Sequence, residues 1–599
     1  MKNIGLRFGA VCLLGAVWSG GAAQGDTNLI TGEVTNHVTW SGDNLLQGTV
    51  LIRTGAVVNV EPGARLLMDA GATLRVEGQL LADGTDSAPI QFTNAVTGGR
   101  WGRILFSRAA DSRLRHCVVE RADCAGDHQD YYDNDCSDAT PPLPRNYHEA
   151  VVALATHLDL EACVFRNLLG GTGGNEGDAL ALVSDDPQVP GTASANIRSC
   201  RFEGIGQGVH TRFAYVRVEG CYFVNKHGDN DDVDLYGEST PPPLILNNLF
   251  AAPCHEDRIN PTRCSAVIVG NVIAVSDDHG IVLRDRGSPV LINNVIYHCS
   301  SAGISVQNQC DALLVNNTIV DCGRGVRLFD HFDRHGPPYC LTPGSGRVTL
   351  LNCVIWDCPT SLLLTDSPDG HSYAAVAYCN VEGGQATAEV EANSTLVWDA
   401  TNLSADPQFA FASTNNFRLL AGSPCIDAGT NLSAIVTGDF DGMPRPLDGN
   451  GDGTGSFDIG AFEFLLATAD SNGDGIPDGW CRRYGFGPLD AGVAADDPDH
   501  DAFANLQEYV ADTDPTNALS ALRITAISNL PPVTVSFLSS SNRQYTLSYR
   551  ANLAGGGAPG MGWTNVAGQV DVPGTGGPLI LNDTTAEPAR FYRVGVRVP

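Results

Sequence analysis

The sequence predicts an all-β protein: a parallel β-helix, which is a solenoid of stacked coils, followed by a small linker with short helices and a C-terminal β-sandwich. Three observations carry this prediction. A short strand motif recurs from Cys200 to Cys379, the composition becomes rich in Asp, Asn and Gly after Phe464, and alternating apolar strands return from Leu522.

Residues 1–23 are predicted to be a secretory signal peptide. Lys2 and Arg7 precede an apolar run from Phe8 to Trp18, and small residues follow up to Ala23, which is the order of regions in such signals. No later stretch is apolar and long enough to span a membrane. We therefore expect a secreted or cell-surface protein without a membrane span.

Residues 24–465 are assigned to the β-helix. Residues 48–84 alternate apolar and polar positions between glycines, as short half-buried strands joined by turns do. Farther on, Cys or Asn precedes a mostly apolar pair at steps of 21, 27, 23, 23, 23, 36 and 26 residues: Cys200, Cys221, Asn248, Asn271, Asn294, Asn317, Cys353 and Cys379. A unit of this size cannot bury its own apolar face, so successive units must stack.

The cysteines divide into two groups. Three of them follow a repeat residue by five positions and are expected to stack on successive coils: Cys299, Cys322 and Cys358. Neighbouring strands lie about 4.8 Å apart, which is close to the Cα separation that a disulfide tolerates. These cysteines are therefore expected to form either disulfides or a stack of buried free thiols, and the sequence leaves both open. Two pairs that bracket polar insertions are predicted to be disulfides: Cys124 with Cys136, and Cys254 with Cys264.

The charge balance excludes one class of partner. The chain has 36 basic and 68 acidic residues and a net charge of −32. Nucleic acid is therefore not expected as a partner, because binding it requires clustered Lys and Arg against the phosphates. An acidic surface suits calcium, although solubility alone also explains part of the excess.

Residues 466–518 are predicted to be a calcium-binding linker with two loops. In the second loop, six residues occupy positions 1, 3, 5, 7, 9 and 12 of a twelve-residue Ca²⁺ loop: Asp497, Asp499, Asp501, Phe503, Asn505 and Glu508. Ala502 replaces the usual glycine at position 6, so we expect a strained turn. The first loop is incomplete, because Cys481 stands where a terminal Glu is needed; its candidate ligands are Asp470, Asn472, Asp474 and Asp478. An acidic linker without metal is the alternative.

Residues 519–599 alternate apolar and polar positions and are long enough for a small β-sandwich.

Outward-facing residues of the coils predict a polar strip. Aligning DALALV, QGVHTR, DDVDLY, HGIVLR, AGISVQ and RGVRLF places one residue of each at the same position: Asp178, Gln207, Asp231, His279, Ala302 and Arg324. Three residues farther on, the row contains Ala181, His210, Asp234, Val282, Ser305 and Arg327, and beyond it lie Tyr236 and Arg284. Adjacent coils about 4.8 Å apart would gather these side chains on one face, beside Lys226.

This strip supplies the candidates for function. The catalytic candidates are Lys226, Asp231, His279 and Arg284, and the substrate-binding candidates are His210, Asp234, Tyr236 and Arg324. A polysaccharide lyase needs a group that neutralises the substrate carboxylate and a Lys, Arg or His base. A glycoside hydrolase needs two opposed carboxylates, for which Asp231 and Asp278 are nearest. A third interpretation is that the charges only pair across coils and meet water.

The Cys and Asn ladder resembles that of the right-handed parallel β-helix proteins of the pectate-lyase-like superfamily, over roughly residues 30–465. The resemblance implies that the ladder asparagines hydrogen-bond neighbouring backbone inside the coils. The segments SPCIDAG and DIGAFE look like the terminal coils of secreted β-helix proteins of environmental bacteria. DSNGDGIPDGW and DPDHDAFANLQEYV resemble thrombospondin type 3 and EF-hand-like calcium loops, and the tail is similar to an attachment or spacer β-sandwich.

We expect a monomer that interacts with extracellular polysaccharide along the elongated face of the solenoid. Lyases, hydrolases, epimerases and adhesins share the scaffold, so the fold alone does not choose among them. An enzyme and a non-catalytic surface or adhesion protein therefore both stay open.

Overall fold

The computed structural model describes residues 27–97, 99–122, 149–168, 177–184, 191–224, 231–251, 256–331, 342–528, 531–551, 562–585 and 590–599. The chain divides into two compact units. The first lies within Met1–Met443 and Phe457–Glu463, and the second within Pro444–Ser456 and Phe464–Pro599. The predicted signal peptide, Lys226, Cys124, Cys136 and Cys254 lie outside the described residues.

The first unit is a right-handed parallel β-helix, as the repeat predicts. Its coils run through three parallel sheets in turn. Sheet 1 comprises Val38–Trp40, Val57–Val60, Gln79–Asp83, Ser112–Arg115, His157–Glu161, Ser194–Arg198, Tyr215–Glu219, Leu244–Leu246, Val267–Val269, Val290–Ile292, Asp311–Val315, Arg347–Leu351, Tyr373–Ala377 and Thr395–Trp398.

Sheets 2 and 3 are joined at the first coil by the long strand Asp43–Ile52, on which Asn28–Val34 also pairs. Sheet 2 continues with Arg65–Met68, Ile90–Asn94, Cys117–Glu120, Val164–Arg166, Arg201–Glu203, Tyr222–Val224, Leu249–Phe250, Val272–Ile273, Val295–Tyr297, Thr318–Val320, Val354–Trp356 and Asn380–Val381. Sheet 3 continues with Thr73–Val76, Ile104–Ser107, Glu149–Leu154, Asp178–Val183, Val209–Arg212, Val233–Tyr236, Ile259–Thr262, Ile281–Leu283, Ile304–Gln307, Arg324–Phe329, Thr360–Leu364 and Ala388–Val390.

Alternation of side chains along each strand places the core inside the coils. In Val233–Tyr236, for example, Val233 and Leu235 are buried, whereas Asp234 and Tyr236 are on the outer face and partly exposed. Inside sheet 2, four phenylalanines stack with ring centroids 5.2, 4.7 and 4.7 Å apart: Phe165, Phe202, Phe223 and Phe250. Each coil therefore buries its apolar face only against its neighbours.

A ladder of asparagine side chains lines the turn between sheets 1 and 2. Asn294 is fully buried; its Oδ1 accepts from the Asn271 backbone N–H at 3.0 Å, and its Nδ2 donates to the Ile268 carbonyl at 2.9 Å. The same pattern links Asn248 to Asn271 and Asn294 to Asn317. The amide thus satisfies backbone groups that the turn removes from the sheets.

The described cysteines are free, buried thiols, including the predicted stack of Cys299, Cys322 and Cys358. The prediction for Cys264 was wrong: it is a free thiol with 1% of its surface exposed. Its side chain faces the core, where it fills space as a small apolar residue.

The segment after the last coils corrects a second expectation. SPCIDAG and DIGAFE form no further coils; residues 457–463 lie along the outside of earlier ones. Phe417, Ala461 and Phe462 pack on outward-facing Val295 and Val320. Asn316 Nδ2 donates to the carbonyls of residues 458 and 460, at 2.9 and 3.0 Å. The segment therefore covers apolar residues that face out of sheet 2.

The second unit contains two α-helices, α1 (Asp478–Tyr484) and α2 (Asn505–Ala511). Two small antiparallel sheets follow and share one core, as in a β-sandwich, with Val535 and Phe537 from one sheet and Tyr545 and Leu547 from the other. Their strands are Ile524–Ile527, Val533–Leu538 and Pro578–Asp583, and Gln544–Arg550, Thr564–Asn565, Val572–Pro573 and Phe591–Arg597.

Among the described residues, no helix has the length and apolar character needed to cross a membrane.

Candidate active site on sheet 3

The predicted polar strip lies on the outer face of sheet 3, but it contains a coil that the sequence alignment missed. Ile259–Thr262 pairs with Val233–Tyr236 on one side and Ile281–Leu283 on the other. Asp257 therefore lies between Asp231 and His279. The strand INPT was overlooked because Asn260 and Pro261 do not match the apolar pattern. The sequence did contain an indication of this strand: each neighbouring coil supplied a segment to the aligned row, but the coil from Asn248 to Asn271 supplied none.

His279 is the centre of this face. Its Nδ1 lies 3.1 Å from Asp257 Oδ1 and 2.9 Å from Asp278 Oδ1, and its Nε2 lies 3.2 Å from Ser301 Oγ. Burial acts to lower the pKa of His279, but the hydrogen bonds and charges of Asp257 and Asp278 prevail and raise this pKa to about 9. The two carboxylates hold the proton on Nδ1, which leaves Nε2 as the atom that can accept one.

Asp257 contacts both His279 and the neighbouring guanidinium of Arg284. Its Oδ2 lies 3.4 Å from Arg284 Nη2, and Arg284 Nε donates to Gln307 Oε1 at 3.0 Å. The Asp257 side chain is 2% exposed. One buried carboxylate therefore orients both an imidazole and a guanidinium.

A group of three carboxylates lies next to this pair. Asp231 accepts hydrogen bonds from the Asp257 backbone N–H at 3.1 Å and from Asn260 Nδ2 at 2.7 Å. One oxygen each of Asp231, Glu256 and Asp257 lies within 4.8 Å of the others. Such a group can hold a divalent cation or supply a carboxylate base.

The remaining candidates occupy both ends of the strip. His210 Nδ1 lies 3.0 Å from Asp234 Oδ2. Tyr236 accepts a hydrogen bond from Arg263 Nη1 at 3.2 Å. Arg324 lies two coils beyond His279, and its strand pairs with Thr360–Leu364. The structure thus brings Asp231, His279 and Arg284 together, while Lys226 falls outside the described residues.

The stability of the β-helix is expected to depend on the charge of His279. Because its folded pKa of about 9 exceeds the usual value of about 6.5, the stabilisation is complete below pH 6.5 and is lost as the pH rises through 9. A shift of this size corresponds to at most about 3 to 4 kcal/mol. Urea denaturation between pH 6.5 and 9.5 measures it. The variant His279→Gln should lack this change, and an identical decline in both proteins would contradict the assignment.

The linker loop Asp497–Glu508 has a cluster of oxygens directed at one point. One oxygen each of Asp497, Asp499 and Asp501 lies within 4.8 Å of the others. Four buried oxygen atoms there have no hydrogen-bond partner: Asp499 Oδ2, Asp501 Oδ2, Asn505 Oδ1 and Glu508 Oε2. Of these, Asp501 Oδ2 lies 3.6 Å from Arg523 Nη2, in an ion pair. Burial, together with the charges of the three aspartates, raises the pKa of Glu508 to about 7. These are the features of a group that a cation would stabilise.

The first loop has the same backbone network as the second. Asp470 Oδ2 accepts from the Gly475 N–H at 2.8 Å, as Asp497 Oδ2 accepts from the Ala502 N–H at 3.0 Å. Gly475 has a φ of +90° and Ala502 a φ of +77°. Ala502 therefore adopts the left-handed conformation that favours glycine, so the predicted strain at this turn is present.

Asp478, the last candidate ligand of the first loop, has hydrogen-bond partners within the protein, unlike Glu508 Oε2 of the second loop. Its carboxylate accepts from the Ser471 N–H at 3.1 Å and from Ser471 Oγ at 2.5 Å. Asn472 Nδ2 donates to Asp474 Oδ2 at 3.0 Å. The side chains of the first loop thus bond one another, whereas Asp499 Oδ2, Asn505 Oδ1 and Glu508 Oε2 of the second loop have no hydrogen-bond partner.

Comparisons with known proteins concern the β-helix. The profile of the family described as right handed beta helix region matches residues 188–336 and 258–401. The tailspike protein of E. coli bacteriophage HK620, solved with a pentasaccharide, is similar at 11% identity, over 62% of this chain and 72% of that one, with a TM-score of 0.34. No curated protein matches the sequence.

Two further solved structures are similar at this level. A pectate lyase has 12% identity, over 69% of this chain and 89% of that one, with a TM-score of 0.27. The periplasmic alginate epimerase AlgG has 13% identity, over 54% and 78%, with a TM-score of 0.28. The match to the family profile and the three parallel sheets agree that the described residues between 191 and 401 form a right-handed β-helix.

Proposed function

We propose that the protein is secreted and, as a monomer, binds extracellular polysaccharide along the outer face of sheet 3. The observation that carries this proposal is the array of Asp257, His279 and Arg284, in which a buried carboxylate holds two cationic groups at the surface of a solenoid. Amide, carboxylate and guanidinium groups at successive coils can each bond a sugar hydroxyl. Tyr236 adds an aromatic ring at the same face.

A second proposal is that this array cleaves an acidic polysaccharide by elimination. The specific observation is that Asp257 and Asp278 fix the proton of His279 on Nδ1, which makes Nε2 the base when the imidazole is neutral. Nε2 would take the C5 proton of a uronate as the C4–O bond breaks, and the leaving oxygen would take a proton from water. The products are an unsaturated uronate at one new chain end and a hydroxyl-bearing reducing end at the other. Asp231, Glu256 and Asp257 could hold a Ca²⁺ that neutralises the substrate carboxylate.

The experiment is a product assay on acidic and neutral polysaccharides, with and without chelator. We expect ultraviolet absorbance of an unsaturated uronate, with a rate that rises as the pH passes through about 9, because His279 must lose its proton to act as the base. Asp257→Asn should lower the rate by about 100-fold or more. It should also move the rising limb to lower pH, since the carboxylate no longer raises the pKa of His279.

The control is Asp311→Asn, the same change on sheet 1, where Asp311 is exposed and near Arg347. It should leave rate and binding unaltered. New reducing ends without ultraviolet absorbance would favour hydrolysis by the carboxylates. Polysaccharide binding without product would leave the protein as a binding or adhesion module, and absence of both binding and product would refute the proposed function.

We also propose that the loop Asp497–Glu508 holds Ca²⁺. Support comes from Glu508, which is 1% exposed and has an oxygen without a partner facing three aspartates. The residues that would hold the ion are the predicted Asp497, Asp499, Asp501, Asn505 and Glu508, with the carbonyl of Phe503. Its role would be structural, because α2 begins inside this loop.

A further inference from the structure

Two arginines stand side by side at the end of the polar strip. Arg324 and Arg327 belong to the same sheet 3 strand, and both are partly buried. Within the part of the chain that the structure describes, neither guanidinium forms an ion pair. Arg327 Nε is buried without a hydrogen-bond partner, and its guanidinium carbon lies 3.9 Å from the centroid of the Phe329 ring.

The other arginines of this face are neutralised. Arg258 Nη1 bonds Asp232 Oδ2 at 2.6 Å, Arg263 bonds Asp285, and Arg284 reaches Asp257. Such pairing is the ordinary result in a chain with 68 acidic and 36 basic residues. Arg324 and Arg327 have no such acidic partner among the described residues. Burial, together with the charge of Arg324, lowers the pKa of Arg327. The pair therefore lacks the counter-charge that Arg258, Arg263 and Arg284 have.

The pair lies one coil beyond a chain of hydrogen bonds that starts at the candidate active site. Ser305 lies directly opposite Arg327 on the preceding coil. Its Oγ accepts from Gln307 Nε2 at 3.0 Å, and Gln307 in turn accepts from Arg284. Asp278, which contacts His279, is close enough for its negative charge to act on the pKa of Arg327, in the upward direction. A polymer lying across the coils would therefore meet His279 and the arginines together.

We propose that Arg324 and Arg327 form a subsite for an anionic group of the polysaccharide, the carboxylate of a uronate or a sulfate ester. Planar guanidinium groups suit both, because they present paired N–H donors to two oxygens at once. An anion here supplies the missing counter-charge and a partner for Arg327 Nε. The inference rests on the proposed polysaccharide function and names the substrate class that this face selects.

The test compares the wild type with the double variant Arg324→Gln and Arg327→Gln. Affinity for polygalacturonate, a sulfated polysaccharide and a neutral polysaccharide is measured by isothermal titration calorimetry, and the small anions glucuronate and inorganic sulfate are titrated separately. We expect the double variant to bind the anionic polymer about 10-fold to 100-fold more weakly, as loss of charged hydrogen bonds predicts. Its binding should also depend less on salt. Circular dichroism confirms that the variant is folded.

Arg347→Gln is the matched control, because Arg347 lies on sheet 1 of a neighbouring coil and contacts the ring of Tyr373. Equal loss in this control, or unaltered binding of anionic polymers in the double variant, would overturn the subsite. Arginine-dependent binding of glucuronate or sulfate without binding of any polymer would support the subsite and refute the proposed function. Preference for the uronate or the sulfated polymer identifies which group is recognised.

Discussion

Adding Ca²⁺ to the metal-free protein is expected to stabilise the second unit by about 2.7 kcal/mol when free Ca²⁺ is 100 times its dissociation constant. The reason is electrostatic. The folded loop brings Asp497, Asp499, Asp501 and Glu508 together, and burial and repulsion raise the pKa of Glu508 to about 7. A cation relieves that repulsion in the folded state only. Calorimetric unfolding of the full chain, with calcium and with a chelator, measures the difference.

Two variants of the same loop test whether it is the site at which Ca²⁺ binds. Glu508→Gln should weaken Ca²⁺ binding by about 10-fold to 100-fold, because it removes a charged ligand oxygen. Ala502→Gly should strengthen binding, since glycine accepts the observed φ of +77° without strain. Asp496→Asn, a matched loss of charge at an exposed position just before the loop, should alter affinity little. Equal affinity in Glu508→Gln and wild type would exclude this loop as the site.

Replacing Asn294 by alanine is expected to lower the free energy of unfolding of the β-helix by about 3 kcal/mol. The substitution leaves the Asn271 N–H and the Ile268 carbonyl without their partners in a fully buried turn. It also removes the bond from Asn294 Nδ2 to Asn317 Oδ1, at 2.9 Å. The ladder is therefore weakened over three consecutive coils.

The matched control is Asn59→Ala, which makes the same chemical change at an exposed strand position of the first coils. We expect its effect to stay within about 0.5 kcal/mol. Urea denaturation followed by circular dichroism compares the two variants with the wild type. If Asn294→Ala proved as mild as Asn59→Ala, the ladder would have no measurable role in stability.

Much of the architecture could be predicted because it depends on local repetition. Steps of 23 residues between Asn248, Asn271, Asn294 and Asn317 predict coils, and the structure shows the amides stacked as expected. The register of a solenoid follows from its period, so the positions of Asp231 and His279 on one face were also accessible. Loop Asp497–Glu508 could be identified as a candidate Ca²⁺ loop because its candidate ligands lie within twelve consecutive residues.

Other features required the three-dimensional structure. Asp257 was not predicted, because the strand that follows it, INPT (Ile259–Thr262), has the weakest apolar pattern of the series. In the structure, Asp257 lies between Asp231 and His279, which the sequence did indicate. The packing of Phe462 on Val295 and Val320 joins residues far apart in the chain, and no period predicts it. The free thiol of Cys264 likewise depends on which way its turn faces.

The sequence by itself determined the solenoid, its asparagine ladder and the spacing of the candidate ligands in the second linker loop, because each depends on residues at fixed short separations. The tertiary structure alone decided which outward charges have partners. It joined Asp257 to His279 and Arg284 and left Arg324 and Arg327 without an ion pair among the described residues. The physical reason is that ion pairing depends on separations of a few ångströms between side chains of different coils, and these separations are set by how the coils stack.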